Sequence, residues 1–394
     1  MTYTISIDNF TIISSAVLLV VAVVTSFISP YLRFSKSKWE KEEQQEGPDP
    51  LPPLSVILTP HDEPEALERN LPAIMAQKYP AGFQIIIVVE EGEGATEDVL
   101  KRFRQQLDKD PGDCSLYITY IPQSSRYVSR KKLAMTLGVK AAKTEWLVMT
   151  EPTSKPASDI WLQTMAENCT DSTQLVVGYG GYEDEASAFK RFERLNEAYY
   201  LMRETARGNA YAALAPNIMI RKSMFMKQDG FLGNLNLIHG EYDFLVNKYS
   251  KKGKVALETR GAAWILDDAP EHSVWMADHI FYRETRKWLK RSFAHRVWFN
   301  LDQIALHLSF LLTLVGIVWG AATVNVILLT AALLALILGI VLRTVFGCKA
   351  MSAFGEQVPA LLIYPYCLSI VWRNLIYGLR YRFADKLDFT THKQ

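Results

Sequence analysis

A chain of 394 residues with 49% hydrophobic and 22% charged side chains carries enough apolar surface for one large or two modest folded domains, which excludes a disordered polymer. Its 43 basic and 42 acidic residues leave a formal net charge of +1, so there is no bulk electrostatic drive toward nucleic acid, although a local cluster suffices for a small anion. Cys114, Cys169, Cys348 and Cys367 lie far apart without metal-ligand or disulfide-scaffold spacing, which fits a reduced, cytosol-facing catalytic region.

The first element is Phe10 to Ser29, uncharged for 20 residues. That is the length of one helical crossing of a bilayer core of ~30 Å. The residues before it are acidic rather than basic and no small-residue cleavage site stands out, so it reads as a span (10–29) rather than a leader. Arg33, Lys36, Lys38 and Lys41 follow it while Asp8 precedes it, and basic residues collect on the cytoplasmic side. Residues 1–9 are therefore expected outside and residues 30 to 300 inside. A linker (30–53) ends in the polar, Pro-rich stretch Gln44 to Pro53.

Strands and helices then alternate. Leu54 to Thr59 is a short apolar strand, and Glu63 to Gln77 a helix with Pro64 near its start, where proline is tolerated. Gln84 to Val89, Ser115 to Ile121 and Trp146 to Thr150 read as further strands, separated by helices at Thr96 to Asp108 and Lys131 to Ala142. This rhythm predicts an α/β fold with a mostly parallel sheet covered on both faces. Ligands of such sheets bind beyond the carboxyl ends of the strands, so the loops at Pro60, Glu90, Ser124 and Glu151 should meet at one crevice. Those loops carry His61, Asp62, Glu63, Glu90, Glu91 and Glu151, acids that can accept hydrogen bonds from a nucleoside or hold a metal against phosphate.

Further along, Phe189, Phe192, Tyr199 and Tyr200 share helical spacing with Leu195, the mark of core packing. Asn217 opens a strand running into Arg221. His239, just before Gly240, reads as a hydrogen-bonded turn residue. Tyr282 to Arg296 interleaves six basic residues with Trp288, Leu289 and Phe293, which suits an amphipathic helix (281–300) among anionic headgroups. Ile304 to Leu342 is uncharged for 39 residues, enough for two crossings (304–342) that turn at Trp319 to Asn325; His307 falls inside the first. Val358 to Trp372, with Pro359 and Pro365, is followed by Arg373, Arg380 and Arg382. It is either a re-entrant helix or a fourth crossing (358–379), ahead of a tail (380–394).

The stretch Leu54-Ser-Val-Ile-Leu-Thr-Pro-His-Asp-Glu63, the helix with Leu67-Glu-Arg-Asn-Leu-Pro72 and Gln77-Lys-Tyr-Pro80, and the strand ending Ile87-Val-Val-Glu-Glu-Gly92 resemble the start of family 2 glycosyltransferases. The similarity continues through Lys131-Lys-Leu-Ala-Met-Thr-Leu-Gly138, Trp146-Leu-Val-Met-Thr-Glu-Pro-Thr153 and Gly240-Glu-Tyr-Asp-Phe-Leu-Val246, covering about residues 52 to 300. The flanking spans resemble those of the family's membrane-anchored members. The resemblance implies a nucleotide-sugar-binding, glycosyltransferase A-type domain (54–280) flanked by transmembrane helices. It implies nucleotide-sugar contacts at Pro60, His61, Glu63 and Glu91, with Lys132 near the phosphates, Glu151 and Thr153 at the Mg²⁺ or Mn²⁺ position with Glu151 as metal ligand, and a catalytic base at Asp243 or, in competition, Glu241.

The sequence also departs from the family. Where most members carry Asp-x-Asp, Glu151-Pro152-Thr153 offers one carboxylate and one hydroxyl, a weaker divalent-ion site. Glu90 and Glu91 replace a pair of aspartates, and Tyr242 stands where an aspartate of the acceptor segment is usual. Arg283-Glu-Thr-Arg286-Lys-Trp288 resembles loosely the element in which arginine grips diphosphate and tryptophan stacks on acceptor sugar; Trp275 with His279 is the alternative placement. Two functions follow as expectations. One is an inverting hexosyltransferase at the cytoplasmic face of a bacterial inner membrane, moving sugar from a nucleotide-sugar to a lipid-linked or polysaccharide acceptor of the cell envelope. The other is a weakened relative serving as a binding or scaffold subunit among assembly partners. The enzyme reading requires Glu91, Glu151 and Asp243 to gather in one pocket.

Overall fold

The computed structural model describes residues 8–42, 47–109, 114–122 and 128–390. The Ser124 loop, residues 43–46 of the linker, residues 391–394 of the tail and most of the 1–9 segment lie outside the described residues. The chain divides into two compact units. One comprises Ser37–Ser187, Leu201–Arg291 and Tyr377–Gln394; the other comprises Met1–Lys36, Ala188–Tyr200 and Ser292–Ile376.

The chain order of elements is α1 (Asn9–Phe27), α2 (Lys36–Glu42), β1 (Leu54–Leu58), α3 (Pro64–Met75), β2 (Phe83–Glu90), α4 (Gly94–Lys109), β3 (Cys114–Ile121), α5 (Arg130–Ala141), β4 (Trp146–Met149), β5 (Ser154–Pro156) and α6 (Trp161–Ala166). It continues with β6 (Leu175–Gly178), β7 (Gly180–Tyr182), α7 (Ala188–Ala206), β8 (Ile218–Arg221), α8 (Lys222–Lys227), α9 (Glu241–Tyr249), β9 (Val255–Glu258), β10 (Ile265–Asp267), α10 (His272–Thr285), α11 (Phe293–Ala322), α12 (Val326–Ala353) and α13 (Ala360–Phe383).

In the α/β unit, seven strands form one sheet in the order β3-β2-β1-β4-β8-β6-β9. The pairs β1/β2, β1/β4, β2/β3 and β6/β9 are parallel, while β8 runs antiparallel to β4 and β6. All of β1 and β4 is buried, as expected of strands covered on both faces and built from Leu, Val, Ile and Met. β3 lies at the edge and is half exposed. Its neighbours wrap a core in which Leu58, Leu71, Ile87, Val148, Trp161 and Met219 are buried together. From β1 the chain steps outward through β2 and β3, then returns to place β4 on the other side of β1. Strand order therefore reverses between β1 and β4, and the crevice of such a sheet opens at the carboxyl ends of those two strands. A second sheet, β5-β10-β7, is built from strands of three residues. Nothing in the period of so short a strand announces it.

In the other unit, α1, α11, α12 and α13 are each long and apolar enough to cross a membrane. α1 packs on α12 through Leu18, Ala22, Leu328, Ala332 and Ala335, small and branched side chains that let backbones approach closely. The turn between α11 and α12 falls at Thr323–Asn325, within the expected stretch. Asn325 caps α12 by accepting from the Leu328 amide at 3.1 Å and donates to Thr11 at 2.6 Å. Phe189, Phe192, Leu195, Tyr199 and Tyr200 of α7 are buried, in accord with their spacing. One sequence expectation changes. The run 281–300 is not one amphipathic helix: α10 ends at Thr285, residues 286–292 break the helix, and α11 starts at Phe293. The segment expected at 358–379 as a re-entrant helix or a fourth crossing is a single helix, Ala360–Phe383, running through Pro365.

Candidate active site

The loops leaving β1 and β2 and the first turns of α5 and α9 enclose a cleft of about 230 Å³ lined by Pro60, His61, Glu63, Glu90, Ser129, Arg130, Lys131, His239 and Glu241, among others. Lys131, in the first turn of α5, is part of that lining. The Lys131 ammonium lies 2.5 Å from Glu151 Oε1 and 5.9 Å from the centre of the Tyr242 ring. Burial alone would strip its proton, but the charges of Glu151, Glu241 and Glu63 outweigh that and hold it protonated above the ordinary lysine range. Glu151 is lifted above the usual carboxylate range by burial, against the opposing pull of Lys131. Burial also lifts Glu63, with Lys131 opposing. Tyr242 is raised well above the ordinary tyrosine range, first by burial and then by the charge and hydrogen bond of Glu151. Glu63 follows β1 and Glu151 follows β4, so this cluster flanks the point where strand order reverses.

Lys131 rather than Lys132 occupies the cleft. Lys132 is 1% exposed, and its ammonium donates to the backbone carbonyls of Asn234 at 2.9 Å and Leu237 at 2.5 Å, tying α5 to the segment before α9. Burial pushes its pKa down to about 8, against the opposing charge of Glu241. Between about pH 8 and the unfolded lysine value near 10.4, the unfolded chain holds a proton that the folded chain has lost, so Lys132 adds stability as pH rises through that window, by up to about 1.4 kcal/mol per unit. Denaturant melts of Lys132→Met should show this slope reduced, and at pH 7 a loss of about 2 kcal/mol from the carbonyls left without a donor. Unchanged melts at both pH values would refute the assignment.

Glu241 is buried in the first turn of α9, lines the cleft, and has an oxygen, Oε1, without a hydrogen-bond partner among the described residues. Gly240 precedes it with φ at 87°, and a Cβ there would meet Thr285 Cγ2 at 2.6 Å, so both the backbone shape and the space demand glycine. Asp243 accepts from the Ala213 amide at 3.0 Å and is not part of the cleft lining. Glu91 is exposed and also lies off the lining. Glu63, Glu151 and Glu241 act together on Lys131, while Glu91 and Asp243 lie off the cleft, so the gathering of Glu91, Glu151 and Asp243 that the enzyme reading required is not met, and that reading passes to a different set of carboxylates.

The divalent-ion site expected at Glu151 and Thr153 does not fit these residues. The single carboxylate of Glu151 is compensated by the Lys131 ammonium and hydrogen-bonded by Tyr242, and a divalent ion there would have to displace a resident cation. Thr153 contributes its carbonyl to the Asp268 amide at 2.9 Å. Asn217 is consumed structurally: it accepts from Trp161 Nε1 at 3.1 Å and donates to the carbonyls of Tyr179 and Ala263. Trp275 is buried against His279 and Tyr377, as a core residue is. Arg283 and Arg286 stand close enough that Arg286, after burial, depresses the Arg283 guanidinium below its usual range, and Trp288 is exposed.

No protein-family model matches the chain, and no curated protein matches it. Among solved structures, a mannosyltransferase from Pyrobaculum calidifontis in complex with GDP-Man and Mn²⁺ is similar, with 15% identity over 91% of this chain and 99% of that one and a TM-score of 0.48. At that level no residue role follows from the likeness.

Proposed function

We propose that this chain is a membrane-anchored glycosyltransferase of the family 2, glycosyltransferase A type, moving a hexosyl group from a nucleotide-sugar to an acceptor hydroxyl with inversion. The observation that carries this reading is Lys131, a protonated ammonium fixed among three carboxylates where the sheet's strand order reverses. Departure of a nucleoside diphosphate builds negative charge, and a cation already in place stabilises it without reorganising in the transition state. The first turn of α5 places Arg130 beside Lys131 in the cleft lining, with the Arg130 guanidinium ion-paired to Glu90. Glu241, with an unpartnered oxygen in the same cleft, is the base for the acceptor hydroxyl in place of Asp243. His61 and Glu63 border the nucleoside end, and Arg283, Arg286 and Trp288 face lipid headgroups or a diphosphate-linked acceptor. The four apolar helices are read as anchors in a bacterial inner membrane, with the α/β unit cytoplasmic and a lipid-linked or glycan acceptor.

The commitment of Glu151 to Lys131 keeps the binding-subunit reading as the second one. Full-length protein in detergent, titrated with a panel of nucleoside diphosphates and assayed with the matching sugar nucleotides, separates them. In the enzyme, Glu241→Gln retains nucleotide affinity and lowers turnover by about 10²- to 10⁴-fold. Binding without turnover in the wild-type chain supports the binding subunit. Absence of nucleotide binding refutes both.

A further inference from the structure

At the outer rim of the cleft, His61 on the loop after β1 faces Glu90 at the end of β2 and Glu93 just beyond it. His61 Nδ1 lies 3.5 Å from Glu90 Oε1 and 3.3 Å from Glu93 Oε1, and the three donor atoms all lie within 4.8 Å of one another. The second Glu90 oxygen is taken by Arg130. Among the described residues, Oε1 of Glu90 and both oxygens of Glu93 have no hydrogen-bond partner of full geometry, with the Asp62 amide and the Thr96 hydroxyl directed at Glu93, although the side chains are only 12% and 9% exposed. Carboxylates so enclosed are stabilised by a further cation. Lys131 is not available, because it is held by Glu151. His61 is 59% exposed, and its ring nitrogen offers a lone pair to a metal ion.

We propose that His61, Glu90 and Glu93 form a divalent metal site of the zinc type, distinct from Glu151. A tetrahedral ion with bonds of 2.0 to 2.2 Å sets its donor atoms roughly 3.3 Å apart, close to both of the distances from His61. Octahedral Mg²⁺ would draw neighbouring donors to about 2.9 Å and takes oxygen in preference to imidazole. Two carboxylates and one imidazole neutralise the ion and leave its fourth position for water or for an oxygen of whatever occupies the cleft. The ion would pin the loop after β1 to the loop after β2, fixing the cleft's rim. This site stands on its own geometry and does not depend on sugar transfer.

The test uses full-length, untagged protein stripped with a chelator, titrated with Zn²⁺ by calorimetry and melted with and without the ion. The expected result is one Zn²⁺ bound per chain and a higher melting temperature in its presence. Glu93→Gln and His61→Ala should each weaken binding by more than tenfold and lose the thermal response while melting normally without zinc; Glu151→Gln should leave zinc affinity unchanged. If the wild-type chain binds zinc no better than Glu93→Gln, the three side chains pair only with one another and the site does not exist. If Glu151→Gln removes binding, the ion belongs at the end of β4 and the proposal fails equally.

Discussion

Replacing Lys131 by methionine is expected to lower sugar transfer by about 10²- to 10³-fold and to weaken nucleoside diphosphate binding by roughly tenfold, the scale seen when a preorganised charge partner of a developing anion is removed. The side chain does two jobs. It balances Glu63, Glu151 and Glu241, and it presents the one ammonium of the cleft lining. Methionine keeps the length and removes the charge, so three carboxylates then face each other with burial already against them. A loss of stability is therefore expected alongside the loss of binding, and the two must be separated. Lys131→Met combined with Glu151→Gln removes one carboxylate and should recover much of the melting temperature without recovering affinity. Lys131→Arg keeps the charge but, with a planar fork in place of a compact ammonium, should retain binding better than turnover. A Lys131→Met chain that binds nucleotide and turns over like the wild type would end the account of the cleft given above.

The neighbouring lysines also show how far the sequence reaches. Lys132, Met135 and Val139 are spaced at i, i+3 and i+7, the row of α5 that faces inward, and all three are buried. Helix phase alone therefore separates Lys132 from Lys131, one position and about 100° away, and points the latter elsewhere. The family resemblance drew attention to Lys132 because two lysines are adjacent, and a motif does not carry phase. A similar offset, here of two residues, affects α9, where Glu241 and not Asp243 meets the cleft. The strands β1 to β4 were legible because each is an apolar run bounded by polar turns, and the structure moves their ends by no more than a residue. By contrast, β5, β7 and β10 hold three residues each and exist through pairing with distant partners, such as Ser154 with Asp267. Local sequence cannot report a partner more than a hundred residues away. The Glu151–Lys131 pair is of the same kind, since β4 and α5 bring together two residues whose types are readable but whose distance is not.

The second large effect concerns Asp302 and Arg343, the charges that bracket the long apolar run. Twenty residues separate Asp302 from Ala322 at the end of α11, and twenty separate Thr323 from Arg343 on α12. A helical hairpin therefore returns the two to the same level, about 30 Å from the turn at 1.5 Å per residue, one bilayer core away. The structure places them in a bidentate pair, Nη1 to Oδ1 at 2.9 Å and Nη2 to Oδ2 at 3.0 Å, with Arg343 1% exposed. Tyr200 donates to Asp302 Oδ2 at 2.6 Å and Gln303 to the same oxygen at 3.1 Å, so the carboxylate is satisfied on both sides. Removing one partner strands a buried charge, and either Asp302→Asn or Arg343→Met is expected to cost about 3–5 kcal/mol. Removing both, as Asp302→Leu with Arg343→Met, is expected to return most of that, because the desolvation of the two ions disappears together with their attraction. Thermal melts of the detergent-solubilised chain would read this as two sharply lowered midpoints and a double variant near the wild type. Single variants that melt like the parent, or a double variant that melts at the sum of the two losses, would mean that the pair does not hold this hairpin in register.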